Sequence, residues 1–466
     1  MPRTLSRAGK KMYKAELLDS TLWAFEDVFG SFTIQVLVEF DPLPTRTDFL
    51  RGIERTVAQI PILGCRIEKG LWRDRWVPIP GLNLESLIEI VDLSDHSSEL
   101  FERVAEQAFA ERVADRMPIT RDPPFSLLIF QRGKQGLAVF RFHHAVADGN
   151  GCLQVVSQIG EHMKPRDQVQ PKSVSLDRGF SQVLTSFGVT DIPGIAWDII
   201  KESLAPIRLM FGTPLADMAP RLAGPRKTSV TRLVIQGAPY QRLLQAASQH
   251  GLTINDVLVV ALLKIASNLN RQRKVPGKRL NALFTVNLRR YLQTAHIQVT
   301  NISSLATISV LADKLDTFAN AARIVHETIG EMKRKYLGIG YIIALQALIL
   351  FMPSPLLHLV VRKYSGFMLR QTASHGVGMT NIGSMDALLE PFGDSTRSAS
   401  VIATMLEFPM PVITATGFKN RLTIFLGWQY RSSDHTKTCD EIAEQLRYAL
   451  EEWPFEAEQG STKEQP

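Results

Sequence analysis

The sequence predicts an α+β protein of two lobes, each a mixed β-sheet with flanking helices. Three observations carry that expectation. Apolar segments of strand period recur on both sides of a polar, proline-rich stretch at 164–226. Segments of helical period accompany the strands in both halves, the pattern of layered sheet and helix. At 466 residues the chain is also long for one hydrophobic core. The expected division is a basic tail (1–14), a first lobe (15–163), a connection (164–226), a second lobe (227–455) and a polar tail (456–466).

In chain order, the first residues carry Arg3, Arg7, Lys10, Lys11 and Lys14 with no apolar run after them. They read as a mobile basic tail, not a secretory signal. Asp19 is placed to cap a short helix through Trp23 and Phe25. Over 31–40, Phe32, Ile34, Val36, Val38 and Phe40 alternate as in a strand. Over 45–59, Phe49, Leu50, Ile53 and Val57 recur at helical spacing. A strand is expected at 72–77 and a helix over 101–113, followed by paired strands at 125–130 and 137–142. Within the connection, prolines such as Pro193, Pro206 and Pro214 divide short helical pieces.

The second lobe begins with a strand at 230–235 and helices at 240–250 and 254–270. A strand at 282–288 and a long helix at 313–335 follow. Strands at 377–382, 399–406, 412–416 and 422–428 then lead to a closing helix at 440–451. Between Lys335 and Arg362 there is no Asp, Glu, Lys or Arg. A membrane-spanning helix needs about 17–25 unbroken residues, and Pro353 and Pro355 interrupt this stretch after Met352. A transmembrane span is therefore rejected. A buried helical hairpin is the preferred reading of 337–361, and an apolar surface resting on lipid is the alternative.

Hydrophobic residues make up 45% and charged residues 21%, which excludes a disordered chain. Cys65, Cys152 and Cys439 lie far apart, without metal spacing, and read as reduced thiols. No metal is expected. The net charge of +7 and pI near 9.2 suit a phosphate-bearing ligand, an anionic membrane surface or a plain solubilising excess. There is no zinc-finger spacing, RNA-binding signature or long basic tract, so nucleic acid is not expected as a partner.

The chemistry concentrates in Arg141-Phe142-His143-His144-Ala145-Val146-Ala147-Asp148-Gly149-Asn150-Gly151. An apolar strand ends here and a helix carrying Cys152, Leu153, Val156 and Ile159 begins. Histidine exchanges a proton near neutrality, which suits a general base. Asp148 is positioned either to act on that imidazole or to shape the loop by pairing with a cation. Gly149 and Gly151 allow positive φ and close approach to the backbone.

The spacing His143-His144-Ala145-Val146-Ala147-Asp148-Gly149 resembles the HHxxxDG signature of the thioester-dependent acyltransferase superfamily. That superfamily includes chloramphenicol acetyltransferase and the condensation domains. Thr253-Ile254-Asn255-Asp256-Val257 and Pro61-Ile62-Leu63-Gly64-Cys65-Arg66 resemble segments of its bacterial wax ester synthase/diacylglycerol acyltransferase group. Val286-Asn287-Leu288-Arg289 and Thr380-Asn381-Ile382-Gly383 are similar to two downstream motifs.

The resemblance implies two chloramphenicol acetyltransferase-like lobes with an active-site tunnel between them. It implies His144 as general base, His143 as structural, and Asp148 held by an arginine, for which Arg289 is the candidate. Gly149 would leave room for the donor, Asn381 would border the tunnel, and Asn255 and Asp256 would be structural.

The implied reaction passes an acyl group from acyl-CoA, a co-substrate with no other cofactor, to a hydroxyl such as that of a fatty alcohol or diacylglycerol. A condensation-type enzyme using an acyl-carrier donor to form an ester or amide is the alternative. A non-catalytic binding module of the same fold is the alternative from another class. A cytoplasmic monomer is expected, with peripheral contact to the inner face of a membrane. No Gly-x-Ser-x-Gly elbow supports a serine hydrolase.

Overall fold

The structure, a computed structural model, describes residues 5–7, 10–95, 97, 109–169, 173–203, 227–274, 279–292, 296–334, 336–370, 376–407, 412–430 and 434–461. The first lobe contains α1 (Leu17–Phe29), β1 (Thr33–Phe40), α2 (Arg46–Gln59), β2 (Ile88–Asp92), β3 (Phe125–Arg132), β4 (Gln135–His143) and α3 (Gly149–Met163). Thr45 starts α2: its side chain accepts from the Asp48 N–H, and Asp48 returns the bond to the Thr45 N–H. The helix then buries Phe49 and Ile53. It lies so close to α3 that a Cβ on Gly52 would stand 2.6 Å from the Ile159 carbonyl oxygen, and a glycine is required there.

The connection includes α4 (Ile192–Ser203). The second half of the chain forms β5 (Lys227–Gln236), α5 (Ala238–Gln249), α6 (Ile254–Gln272), β6 (Arg279–Asn287), β7 (Ser303–Leu311), α7 (Phe318–Lys333), α8 (Ile339–Ile349) and α9 (Ser354–Arg370). It ends with β8 (Val377–Ser384), β9 (Thr396–Ile402), β10 (Val412–Phe418), β11 (Arg421–Tyr430) and α10 (Asp434–Ser461). The second sheet has the order β5-β11-β10-β8-β6-β7, with β8 parallel to both neighbours. The first has the order β9-β1-β4-β3-β2.

Strand β9 therefore crosses from the second half of the chain to complete the first lobe's sheet. Val401 pairs opposite Val36, and Ala399 and Val401 are buried in the first lobe's core. The stretch 227–455 is accordingly not confined to the second lobe. A separate apolar cluster joins Leu37, Phe130 and Val139 of the first sheet to Met405 and Phe425. Apolar contact thus holds the lobes together on one side of the junction.

Several boundaries differ from expectation for identifiable reasons. Residues 10–14 are not a free tail but a strand, Lys10–Lys14, in which Tyr13 pairs with Trp76. The strand expected from residue 72 begins at Arg75, because Leu71 and Trp72 lie in an exposed loop. Asp19 is the third residue of the capping box led by Glu16, not the cap itself. Helix α7 starts after Thr317, whose hydroxyl caps it, instead of at 313. The strand expected at 399–406 divides into β9 and Met405–Leu406. The closing helix extends past 451 to Ser461, taking in part of the expected polar tail. The helix expected over 101–113 lies mostly outside the described residues.

The apolar stretch 337–361 divides between its two readings. Ile339, Ile342, Ile349, Leu357 and Val361 are buried, while Leu348, Leu350, Phe351, Leu356 and Leu359 are exposed. Among the described residues, no single helix is long and apolar enough to cross a membrane.

Candidate active site

Strand β4 ends at His143, which pairs opposite Thr33, and the next residue donates its backbone N–H to the Phe32 carbonyl at 2.7 Å. The chain then turns, with the Val146 N–H donating to the His143 carbonyl, and α3 begins at its cap, Asp148. The two histidines are thereby fixed in register by the sheet and by the helix that follows.

Their surroundings set opposite tautomers. His143 is wholly buried; its Nδ1 accepts from the Ala145 N–H at 3.0 Å. Its proton therefore belongs on Nε2, 3.3 Å from Glu26 Oε2.

His144 is only partly buried, and its Nδ1 lies 3.1 Å from Asn301 Oδ1. The orientation of that amide follows from its nitrogen, which faces three acceptors: the carbonyls of His144 (2.9 Å) and Ala145 (3.2 Å), and Asp19 Oδ1 (3.3 Å). The amide oxygen is left to accept from His144, so Nδ1 carries the proton and Nε2 keeps its lone pair. Among the described residues, no hydrogen-bond partner occupies that Nε2. Burial holds the His144 pKa below the ordinary histidine range, against the opposing pull of its own carbonyl, Asp148 and Asn301. The neutral imidazole that a general base requires is thus the favoured form.

Two arginines clamp this turn to the segment at 298–302. Arg289 Nη1 reaches both carboxylate oxygens of Asp148 at 2.9 Å. Its Nη2 donates to the carbonyls of Gln298 (2.8 Å) and Thr300 (3.1 Å). Asp148 also accepts from the backbone N–H groups of Gly151 and Ile302, each at 2.9 Å. It contacts the arginine rather than either imidazole, so it shapes the loop. Arg178, from the connection, donates to Asp19 at 2.7 Å and to the carbonyls of Val146 and Val299. Asp19 completes the chain of contacts by accepting from Asn301 and from Trp76 Nε1.

The remaining expected residues fall into two groups. Gly149 faces the second lobe, where a Cβ on it would stand 3.1 Å from Ile382 Cδ1. Asn381, next to Ile382, uses its side-chain oxygen to accept from the Gly383 N–H at 2.9 Å and so shapes its own turn. Asp256 closes the capping box of α6 with Thr253 and meets His326 of α7 at 3.0 Å. Half-buried Asn255 lies in the same first turn. The partners of Asp256 lie in the helical layer, and none is among the groups around His144.

Asn301, Arg178 and Glu26 were not singled out from the sequence. Asn301 sits in Val-Thr-Asn-Ile, a polar pair between apolar residues, and Arg178 sits in a polar connection, so neither carries a spacing signal. Burial pushes the Cys65 thiol up to about 12 and the Cys152 thiol well above the ordinary thiol value, which disfavours their reactive thiolates.

No family model and no curated protein sequence matches the chain. Solved structures match along almost its whole length. The first condensation domain of the calcium-dependent antibiotic synthetase, in complex with a substrate analogue, is 17% identical. That match covers 96% of this chain and 97% of that one, with a TM-score of 0.67. The trichothecene 15-O-acetyltransferase from Fusarium sporotrichioides is 10% identical over 96% of this chain and 97% of its own, with a TM-score of 0.66. The epimerization domain from the third module of tyrocidine synthetase B is 13% identical over 98% of this chain and 100% of its own, with a TM-score of 0.67. The chain has the two-lobed condensation-domain fold. Because that fold carries condensation, acetyl transfer and epimerization in these neighbours, the reaction has to be argued from the site.

Proposed function

We propose that the protein transfers an acyl group from a thioester, acyl-CoA, to a hydroxyl acceptor, with His144 as general base. The observation that carries this reading is the 3.1 Å contact of His144 Nδ1 with Asn301 Oδ1 on a partly buried residue, from which an Nδ1–H tautomer with a free Nε2 is inferred. In the proposed step Nε2 takes the acceptor's proton as the acceptor oxygen attacks the thioester carbonyl. The tetrahedral intermediate then collapses, the carbon–sulfur bond breaks, and the thiolate leaves with that proton. No acyl-enzyme is needed, and both buried cysteine thiols are disfavoured as nucleophiles by their raised pKa.

General base assistance of this kind contributes about 10²–10⁴-fold, or about 3–5 kcal/mol of barrier. The resemblance of Thr253-Ile254-Asn255-Asp256-Val257 and Pro61-Ile62-Leu63-Gly64-Cys65-Arg66 to wax ester synthase/diacylglycerol acyltransferase segments supports a fatty alcohol or diacylglycerol as acceptor. The likeness to a condensation domain favours a second reading, in which the acyl group arrives on a carrier and an amine can serve as acceptor. Thiol release should be measured with acyl-CoA of increasing length and with acyl-carrier donors, against alcohols and amines. The first reading predicts turnover with acyl-CoA and an alcohol, and loss of turnover in His144→Ala. Release only from carrier-bound donors would replace it with the second. Absence of turnover with every pair would leave a binding module.

A further inference from the structure

The apolar outer surface around α9 is built in a way the proposed chemistry does not use. The inner face of α9 is firmly anchored. His358 Nε2 meets the buried Asp74 carboxylate at 3.1 Å, and the Ser354 hydroxyl donates to the same carboxylate. Trp23 packs edge-on against His358 at 4.7 Å, and Leu357 and Val361 pack with Leu17 and Ala24 of α1. Two bonds from the Arg73 guanidinium, to the carbonyls of Leu350 and Met352, tie the preceding turn to the 71–74 loop. The Ser354 N–H donates to the Trp72 carbonyl at 3.2 Å, closing the same joint.

What this anchoring displays outward is apolar. Leu71 is 86% exposed and Phe351 80% exposed, and Trp72, Leu356, Leu359, Tyr364 and Phe367 are exposed beside them. Exposed apolar side chains gathered in this way mark an interaction surface.

We propose that this surface, formed by the 71–72 loop, the Phe351 turn and the outer face of α9, seats the protein on an anionic lipid bilayer. The charge pattern identifies the occupant. From 336 to 370 there is no Asp or Glu, while Arg362 and Lys363 are exposed between the apolar side chains of α9. Long basic side chains can leave their stems among apolar groups and extend their charges to headgroup phosphates. Trp72 and Tyr364 combine an apolar ring with a polar edge, the chemistry of the membrane–water boundary. A second copy of the chain fits poorly. A twofold contact would bring Arg362 and Lys363 of both copies together with no acidic residue in the stretch to neutralise them.

This inference concerns binding alone and stands or falls independently of the acyl-transfer reading. Its test is sedimentation of the full chain with phosphatidylcholine vesicles, with and without phosphatidylglycerol. Binding is expected to vesicles containing phosphatidylglycerol, to be weaker with phosphatidylcholine alone, and to fall as salt rises. Leu71→Ser/Phe351→Ser/Leu359→Ser should reduce binding at least tenfold at an unchanged thermal midpoint, since all three side chains are exposed. Arg362→Ser/Lys363→Ser should reduce it about tenfold and remove the lipid-charge dependence. No sedimentation with phosphatidylglycerol vesicles, or equal binding by both variants and the parent chain, overturns the proposal. A dimer in solution that the triple substitution dissolves would overturn it too, assigning the surface to a second copy.

Discussion

The turn at 143–151 and the segment at 298–302 face each other across the lobe junction, and they contribute by different means. The turn acts through particular side chains: the His144 imidazole, the Asp148 carboxylate and the close approach allowed at Gly149. The facing segment acts mostly through its backbone. The carbonyls of Gln298, Val299 and Thr300 receive the two arginines, and the Ile302 N–H serves Asp148. Asn301 is the exception, because only its amide can accept from His144 while donating to the turn's carbonyls. On the proposed reading, the reactive position is specified by residue type and its support by conformation. Support of the second kind tolerates many sequences provided the backbone stays in place.

Substitutions can break or sharpen that contrast. The largest effect is expected for His144→Ala, a loss of thiol release of about 10²–10⁴-fold with the chain still folded. The neighbouring His143→Ala should do the reverse. Removing a buried ring that accepts from the Ala145 N–H and meets Glu26 should cost stability of about 1–3 kcal/mol, read by denaturant unfolding.

Arg289→Ala comes next. It would leave the Asp148 carboxylate buried without its cation and two carbonyls without their donor, at a cost of about 3 kcal/mol in unfolding free energy. Asp148→Asn should also lower stability: the Gly151 N–H bonds one carboxylate oxygen and the Ile302 N–H the other, and an amide has only one accepting oxygen, so one of the two would face an NH2.

Asn301→Ala should lower kcat/KM about tenfold, the loss of one orienting hydrogen bond worth about 1.4 kcal/mol. Asn301→Asp sharpens the point by a different readout. A carboxylate at Nδ1 favours the protonated ring, so the acid limb of the rate profile should move to higher pH. A purely structural role for Asn301 would lower yield without moving that limb. The smallest effect is expected for Asn381→Ala, which removes one turn bond and should cost under about 1 kcal/mol in stability.

The same contrast explains what could be read from the linear chain. The 143–151 signature was legible because its full spacing resembles a known family motif, which a bare histidine pair would not have supplied. Strands such as 31–40 and helices such as 45–59 were legible because burial imposes a period. Strand β9 was recognised as a strand, but its transfer to the first lobe's sheet depends on pairing across hundreds of residues, and local pattern does not record that. Arg178 was invisible for a related reason, since its partners are backbone carbonyls and an aspartate 159 positions away. The apolar stretch 337–361 showed its hydrophobicity but not which face turns inward, because that depends on Asp74 and α1.

The central claim is a neutral imidazole with a free Nε2, and the pH dependence of acyl transfer addresses it most directly. Burial favours the uncharged ring, so the folded site gains stability that is complete above the ordinary histidine pKa of about 6.5 and declines as pH falls below it. The thiol-release rate should accordingly stay on its plateau down through that value and fall only at lower pH. In His144→Ala the plateau should be lost altogether. A rate that falls at or above the ordinary histidine value, or a plateau that survives in His144→Ala, would contradict the account.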